Sequence, residues 1–311
     1  MHREELLNCH NRIKPYIHNT PVLSSTLLDE ISGTSLVFKC ENFQKMGAYK
    51  MRGATNAVLQ LSDKQKNHGV VTHSSGNFAQ ALSLAAKNSG IDAHIVMPSN
   101  APKVKMNAVK TYGGIIHISE PNLKGREALS KTIIEETQAT FIHPSNDLNV
   151  IYGQGTAAME LLKTHPDLDV IVVPVGGGGL IAGTALAAHY FGHNCKVIGG
   201  EPFEADDAYR SLKSGKIESN TSSNTIADGL RTVLGDKNFP IIQKHVDRII
   251  RVEETEIINA MKLIWERMKI IVEPSSAVAL AAVLRKKDMF NKRKVGIVIS
   301  GGNVDFTKIP F

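Results

Sequence analysis

Nine short apolar, β-branched runs alternate along the chain with stretches of helical periodicity, and this alternation limits the fold more than any other feature. The runs lie at residues 35–40, 69–73, 93–97, 114–118 and 139–142, then at 170–175, 196–200, 248–252 and 295–300. Helical spacing covers 78–88, 104–112, 126–137, 180–190 and 254–268 between them. Runs with almost no polar interruption suit strands covered on both faces, and strand–helix alternation returns each strand parallel to the last. The pattern therefore predicts an α/β protein of open, twisted, mainly parallel sheets flanked by helices. The block 69–147 carries its own βαβαβαβ series, so a small domain of residues 67–147 is expected to be inserted in a larger one made of 1–66 and 148–311. At 311 residues the chain has material for two such cores.

Composition narrows the function classes. The three cysteines, Cys9, Cys40 and Cys195, form no CxxC or Cys/His cluster, which points to a reduced protein without a disulfide frame or thiolate zinc site. Met1-His2-Arg3-Glu4-Glu5 runs straight into polar helical sequence with no apolar signal segment, and no apolar run is long enough for a bilayer. A cytoplasmic protein with no membrane partner is expected. A net charge of +6 raises the question of nucleic acid, but the basic residues are scattered. The densest group, 285–287 and 292–294, sits where it ends a helix and complements the dipole, and aromatics make up only 5%. Nucleic acid is not expected as a partner.

Three loops stand at the carboxyl ends of predicted strands, where open α/β sheets bind ligands. In the first, Val173-Pro174-Val175 leads into Gly176-Gly177-Gly178-Gly179 and then a helix. Glycines let successive N–H groups approach one anion at a helix N-terminus, and a phosphate suits that arrangement. Gly177-x-Gly179-x-x-Ala182 also satisfies the dinucleotide fingerprint, with Glu201 placed to meet a ribose, so a nicotinamide-dependent oxidoreductase is the alternative. The second loop, His73-Ser74-Ser75-Gly76-Asn77-Phe78, offers two hydroxyls, an amide and helix N–H groups to a carboxylate, or else a plain Ser/Asn helix cap. The third is Ser300-Gly301-Gly302-Asn303, after the last strand.

Upstream lies Asn42-Phe43-Gln44-Lys45-Met46-Gly47-Ala48-Tyr49-Lys50-Met51-Arg52-Gly53, in which Lys50 taken alone reads as a surface lysine. This segment, Ser-Gly-Asn, the tetraglycine and Ser-Gly-Gly-Asn occur together and in order. With Thr225-Ile226-Ala227-Asp228-Gly229 and Val272-Glu273-Pro274, the set resembles the fold-type II pyridoxal-phosphate enzymes (tryptophan synthase β-like), specifically the serine racemase and serine/threonine dehydratase family. The resemblance covers nearly the whole chain.

It implies that Lys50 carries pyridoxal 5'-phosphate as the internal aldimine, with Tyr49 against the ring. Gly176, Gly177, Gly178 and Gly179 would bind the phosphate, joined by Gly229; Asn77 would meet the phenolic oxygen and Ser300 the pyridine nitrogen. Ser74, Ser75 and Asn77 would hold the substrate carboxylate. Arg126 matches an arginine near the substrate, and reads equally as a solvated residue of its helix. Lys50 and Ser75 on opposite faces of the α-carbon would permit racemisation of serine; loss of the β-hydroxyl would instead give a 2-oxo acid and ammonia. An aspartate racemase or 3-hydroxyaspartate dehydratase is the alternative within the family. Glu201, Asp207 and the Ala205 carbonyl match a structural Mg²⁺ or Ca²⁺ site, and an active homodimer is implied. Phe78 stands where the family usually has His, which leaves substrate preference open. Lys45, Ala108, Tyr112, Lys269 and Asn303 match parts of the ATP site of the animal racemases, but Met46 replaces a hydroxylated residue there, so ATP as an effector is left open.

Overall fold

The computed structural model describes residues 2–311. Ten strands form two sheets: β1 (Val22–Leu23), β2 (Ser35–Cys40), β3 (Val70–His73), β4 (Ala93–Pro98), β5 (Ile115–Ser119), β6 (Thr140–Phe141), β7 (Val170–Pro174), β8 (Lys196–Pro202), β9 (Arg248–Val252) and β10 (Lys294–Ile299). The larger sheet has the order β1-β2-β10-β7-β8-β9, and the smaller β5-β4-β3-β6. All pairings are parallel except that of β1 with β2. This is the α/β fold that the alternation requires. The short antiparallel β1 escaped the pattern because two residues carry no period.

Strands β7 and β10 explain why the large sheet must be covered on both faces. Val170, Ile171, Val172 and Val173 are fully buried, as are Val295, Ile297, Val298 and Ile299. Burying side chains of this size contributes about 1.5–3 kcal/mol each, so the strands are fixed between helical layers. One layer contains the helices Leu148–Thr164 and Gly179–Phe191, the other Glu254–Met268 and Pro274–Arg285. The first pair crosses very closely: a Cβ on Gly183 would lie 2.4 Å from the Ile151 carbonyl oxygen and 2.5 Å from the Gly155 nitrogen. Leu148–Thr164 and Pro274–Arg285 are buried along most of their length, so they show little polar–apolar periodicity in sequence. No helix among the described residues is long and apolar enough to cross a membrane.

Beneath the first turn of the helix Lys50–Leu59 lies a buried charge cluster. Fully buried Arg52 donates to Glu41 through Nε (2.7 Å) and Nη2 (2.8 Å), and to Glu160 through Nη2 (2.7 Å) and Nη1 (2.9 Å). Lys39, almost fully buried, reaches Glu160 at 2.7 Å and the Thr20 carbonyl at 2.8 Å. Two cations thus face two carboxylates with their hydrogen-bonding groups engaged, which is the condition for charges to survive in an interior. Burial alone would raise the Glu160 pKa, yet hydrogen bonds from His10 and Arg52 hold it well below the usual carboxylate range.

Candidate active site

Lys50 opens its helix directly after a tight turn in which Met46 and Gly47 have φ of 56° and 79°. The turn is stitched to the end of β10: Tyr49 N–H donates to the Ser300 carbonyl (3.0 Å) and Gly302 N–H to that of Gly47 (2.9 Å). The Lys50 ammonium donates to the Pro144 carbonyl (2.7 Å) and lies 5.2 Å and 5.6 Å from the ring centres of Tyr49 and Phe78. Burial pushes its pKa down to about 8, against the opposing pull of the Glu273 carboxylate. An amine so placed sheds its proton near neutrality and becomes a nucleophile and base.

The tetraglycine loop closes on the same segment, residues 143–146. A Cβ on Gly177 would lie 2.4 Å from Ser145 Oγ, and one on Gly179 would lie 3.0 Å from the Ser145 carbonyl oxygen. Gly178 has a φ of 82° and caps the helix Gly179–Phe191, whose first N–H groups receive no side-chain acceptor. Asn238 ties the two segments together, donating from Nδ2 to the carbonyls of Ser145 (3.1 Å) and Gly177 (2.8 Å). On the other side, a Cβ on Gly176 would lie 3.0 Å from the Gly229 carbonyl oxygen, so the two glycines expected at the cofactor are neighbours. A close backbone and uncapped helix donors fit a phosphate ester.

The Ser74–Asn77 loop is not a side-chain cap. Gly76 is the capping residue of the helix Asn77–Asn88 and no side chain bonds its free N–H groups. Ser74 Oγ accepts from Gly76 N–H (3.4 Å), while the hydroxyl of half-buried Ser75 has no hydrogen bond among the described residues. Asn77 turns its amide instead to Glu273, and Phe78 is buried beneath it. Arg126 is half-buried on the helix Leu123–Thr137 and forms no ion pair among the described residues; burial and then the Arg126 charge lower the pKa of His73, next to Ser74. Ser300, 3% exposed at the end of β10, lies 2.9 Å from Ser276 Oγ, which also bonds both backbone groups of Gly301 (2.7 Å each).

Several residues here escaped the sequence. Pro144 and Ser145 belong to a fourth strand-end loop, after β6, which the rule that led to the other three also indicates. His143 in that loop accepts from the N–H groups of Ser145 (3.2 Å) and Asn146 (2.8 Å) at Nδ1. Burial, then the charges of His73 and Lys50, push its pKa down to about 4, so it is neutral with its proton on Nε2. Ser276 and Asn238 carry no local signal of a site role, and Glu273 shows in the sequence only as part of a motif of the resemblance, with no role attached. Asn303, one of five residues matching an ATP site, commits its amide to Asn77 Oδ1 (2.9 Å) and the Met46 carbonyl (2.8 Å).

Glu201 and Asp207 flank the turn Phe203–Ala205, and both are fully buried. Glu201 accepts from the N–H groups of Ala208 (2.9 Å) and Tyr209 (2.8 Å). Asp207 accepts from Asn220 Nδ2 (2.6 Å) and Leu234 N–H (3.2 Å). Burial and the Asp207 charge push the Glu201 pKa well up, and burial lifts Asp207 to about 6. A carboxylate held by the N–H groups of the helix that follows its strand is not free for a ribose, which removes the support for a dinucleotide at the glycine loop. Among the described residues no group of three or more His, Cys, Asp or Glu is placed to hold a metal, and the Glu201–Asp207 pair is no exception.

The chain matches the family model described as pyridoxal-phosphate dependent enzyme over residues 13–301. It is 50% identical to the serine racemase of Dictyostelium discoideum over 310 residues, 98% of this chain and 96% of that one. It is 47% identical to the beta-hydroxyaspartate dehydratase of Paracoccus denitrificans over 308 residues, covering 99% and 98%. The solved structure of maize serine racemase superposes with a TM-score of 0.96 at 48% identity, covering 98% of this chain and 94% of that one. Lysine, glycine cradle, serine pair and sheet order thus have one common explanation: the chain belongs to the pyridoxal-phosphate dependent enzymes, in the fold-type II group that contains the serine racemases.

Proposed function

We propose that the chain is a pyridoxal-phosphate-dependent dehydratase of small 3-hydroxy amino acids, L-serine and L-threonine among them, that also racemises serine. The observation that carries the reading is the convergence of the Lys50 amine and the tetraglycine loop on one segment, residues 143–146. When bound, the cofactor supplies an electron sink that acidifies the α-hydrogen of an amino acid. Gly176 to Gly179 would hold its phosphate, with Gly229 beside them; Tyr49 and Asn77 would flank the ring and Ser300 face its nitrogen. Ser74, Ser75 and Asn77, with the uncapped helix donors, would hold the substrate carboxylate. Lys50, neutral in part at physiological pH, takes the α-proton from one face. The unpaired Ser75 hydroxyl would give or take it at the other. Departure of the β-hydroxyl leads to a 2-oxo acid and ammonia.

Incubation with L-serine tests this reading: pyruvate, ammonia and D-serine are expected together. A colourless purified protein that binds NADH and yields none of these overturns it. In Ser75→Ala, D-serine formation falls by about 10²-fold or more while pyruvate formation persists, the range for loss of one acid–base group. If D-serine survives intact, Ser75 is not the second acid–base group.

One observation favours a dicarboxylic substrate as a second reading. Arg126 is a half-buried positive charge near the serine loop with no ion pair among the described residues, suited to a distal carboxylate, and the Paracoccus relative is named a beta-hydroxyaspartate dehydratase. Assays of serine, threonine, 3-hydroxyaspartate and aspartate side by side rank the substrates.

Residues 67–147 would act as a small domain inserted between 1–66 and 148–311; the four strands of the smaller sheet all fall inside that range. Glu201, Asp207 and the Ala205 carbonyl would hold Mg²⁺ or Ca²⁺, since two buried carboxylates without a cationic partner invite a hard cation. Chelation with EDTA is then expected to lower Tm by several degrees, with recovery on adding either ion. Asp207→Asn should abolish that response, whereas an unchanged Tm in EDTA removes the site. The three free thiols suit a cytosolic compartment. A homodimer is supported by Phe43 and Ile271, each 45% exposed and joined where Asn42 donates to the Ile271 carbonyl (3.2 Å).

A further inference from the structure

Glu273 has no part in the reading above, yet its carboxylate is buried in the wall of the site, 6% exposed, where it opens the helix Pro274–Arg285. Both its oxygens face one nitrogen: Asn77 Nδ2 lies 2.9 Å from Oε1 and 3.1 Å from Oε2. The Asn77 carbonyl oxygen accepts from Asn303 Nδ2, whose nitrogen also reaches the Met46 carbonyl in the turn before Lys50. A primary amide has two N–H groups and one carbonyl. Glu273 takes one N–H and Asn303 the carbonyl, so the amide cannot flip, and one N–H is left for a ligand. The packing leaves little slack, because a Cβ on Gly301 would lie 3.0 Å from Glu273 Oε1 and 3.2 Å from Asn77 Nδ2.

The charged and titratable groups around this carboxylate come from four other segments. Lys50 and Tyr49 stand at the start of the helix Lys50–Leu59; burial lowers the pKa of Lys50 and raises that of Tyr49, and the carboxylate pulls both upward. Lys105, from the helix Lys103–Thr111, and Asp228, from the turn Asp228–Leu230, are paired to each other and act on Glu273 with opposite sign. The Asn303 backbone N–H favours the ionised carboxylate as well. Burial, opposed by the Asn77 hydrogen bond, pushes Glu273 up to about 7, so its charge is itself variable near neutrality.

We infer that Glu273 is a positioning residue that acts through Asn77: it fixes the donor presented to the cofactor's phenolic oxygen and, by its charge, sets how readily the Lys50 nitrogen keeps its proton. This rests on the cofactor reading above. The sign follows from Coulomb's law. An anion near Lys50 favours the protonated nitrogen, so removing the anion lowers the pH at which that proton leaves. Glu273→Gln keeps an acceptor oxygen for Asn77 but removes the charge; Glu273→Ala removes both.

The test is a pH titration of the visible absorbance of the cofactor-loaded full-length protein, with Tm measured to confirm folding. Glu273→Gln is expected to move the midpoint down by about one pH unit. Glu273→Ala is expected to move it likewise and to weaken cofactor retention by about 10-fold. Should the Ala variant fail to fold, the Gln variant alone decides. A coloured wild type whose midpoint moves by less than about 0.2 of a unit in Glu273→Gln overturns the inference and leaves the cofactor reading intact. A colourless wild type overturns both.

Discussion

Lys50→Ala abolishes the visible absorbance of the purified protein and lowers turnover of every amino-acid substrate by about 10³-fold or more. Removal of a covalent nucleophile that also serves as base has effects of this order. The prediction is sharp because Lys50 contributes little else. Among the described residues its side chain makes one hydrogen bond, to the Pro144 carbonyl, and the turn before it is held by backbone bonds to Ser300 and Gly302. The variant should therefore keep the melting curve of the cofactor-free wild type. Absorbance spectra, a pyruvate assay and thermal unfolding on the same preparation check it. Retained absorbance together with retained turnover would show that another group carries the cofactor. Loss of folding would mean that Lys50 holds the turn as well.

Arg52→Met should be the most destabilising single change in the core. It removes one cation from a buried set of two cations and two carboxylates, leaving Glu41 fully buried with Thr20 Oγ1 (2.5 Å) as its remaining side-chain donor. Breaking a buried pair in this way costs about 3–5 kcal/mol, whereas replacing the whole set by apolar residues of similar volume is often neutral. The penalty also depends on pH. The folded-state pKa of Glu160 is depressed, so its ionised form adds stability above its unfolded pKa, and that stability is lost as pH falls through the folded value. The wild type should therefore lose stability in strong acid, and Arg52→Met should lose less of it there. Denaturant unfolding at neutral and acidic pH reads both effects. A change below about 1 kcal/mol at neutral pH would show that water or a shifted carboxylate replaces the guanidinium.

How legible was this molecule? The sheets were, because parallel strands covered on both sides must be written as apolar runs: β2 (Ser35–Cys40), β9 (Arg248–Val252) and the helix Glu254–Met268 fall where the spacing puts them. The glycine loop and Lys50 were legible as a set, since each sits at a strand end or before a helix in an order that resembles one family. Less visible were residues whose role lies in a partner far along the chain. Glu273 meets Asn77 across 196 positions and Asn303 meets Asn77 across 226, and no local period encodes such pairs. Lys39 reads as an interruption of an apolar strand until Glu160 is placed beside it. The Ser74–Asn77 loop shows the opposite failure. Its composition suits an ordinary helix cap, but Gly76 takes the capping position and the Asn77 amide turns to Glu273.

The position of β10 bears on when this protein becomes an enzyme. It lies in the middle of the six-stranded sheet, between β2 and β7, yet it is the last strand along the chain. During synthesis the ribosome delivers Lys50 and the glycine loop long before the strand that joins their halves of the sheet. Until then β2 and β7 present unpaired edges, which is where nascent chains are most exposed to wrong partners. Ser300 and the Gly302 contact that anchors the Lys50 turn emerge with that strand. A nascent chain can therefore collect most of its core early, while the pocket that would retain a cofactor is assembled in one late event.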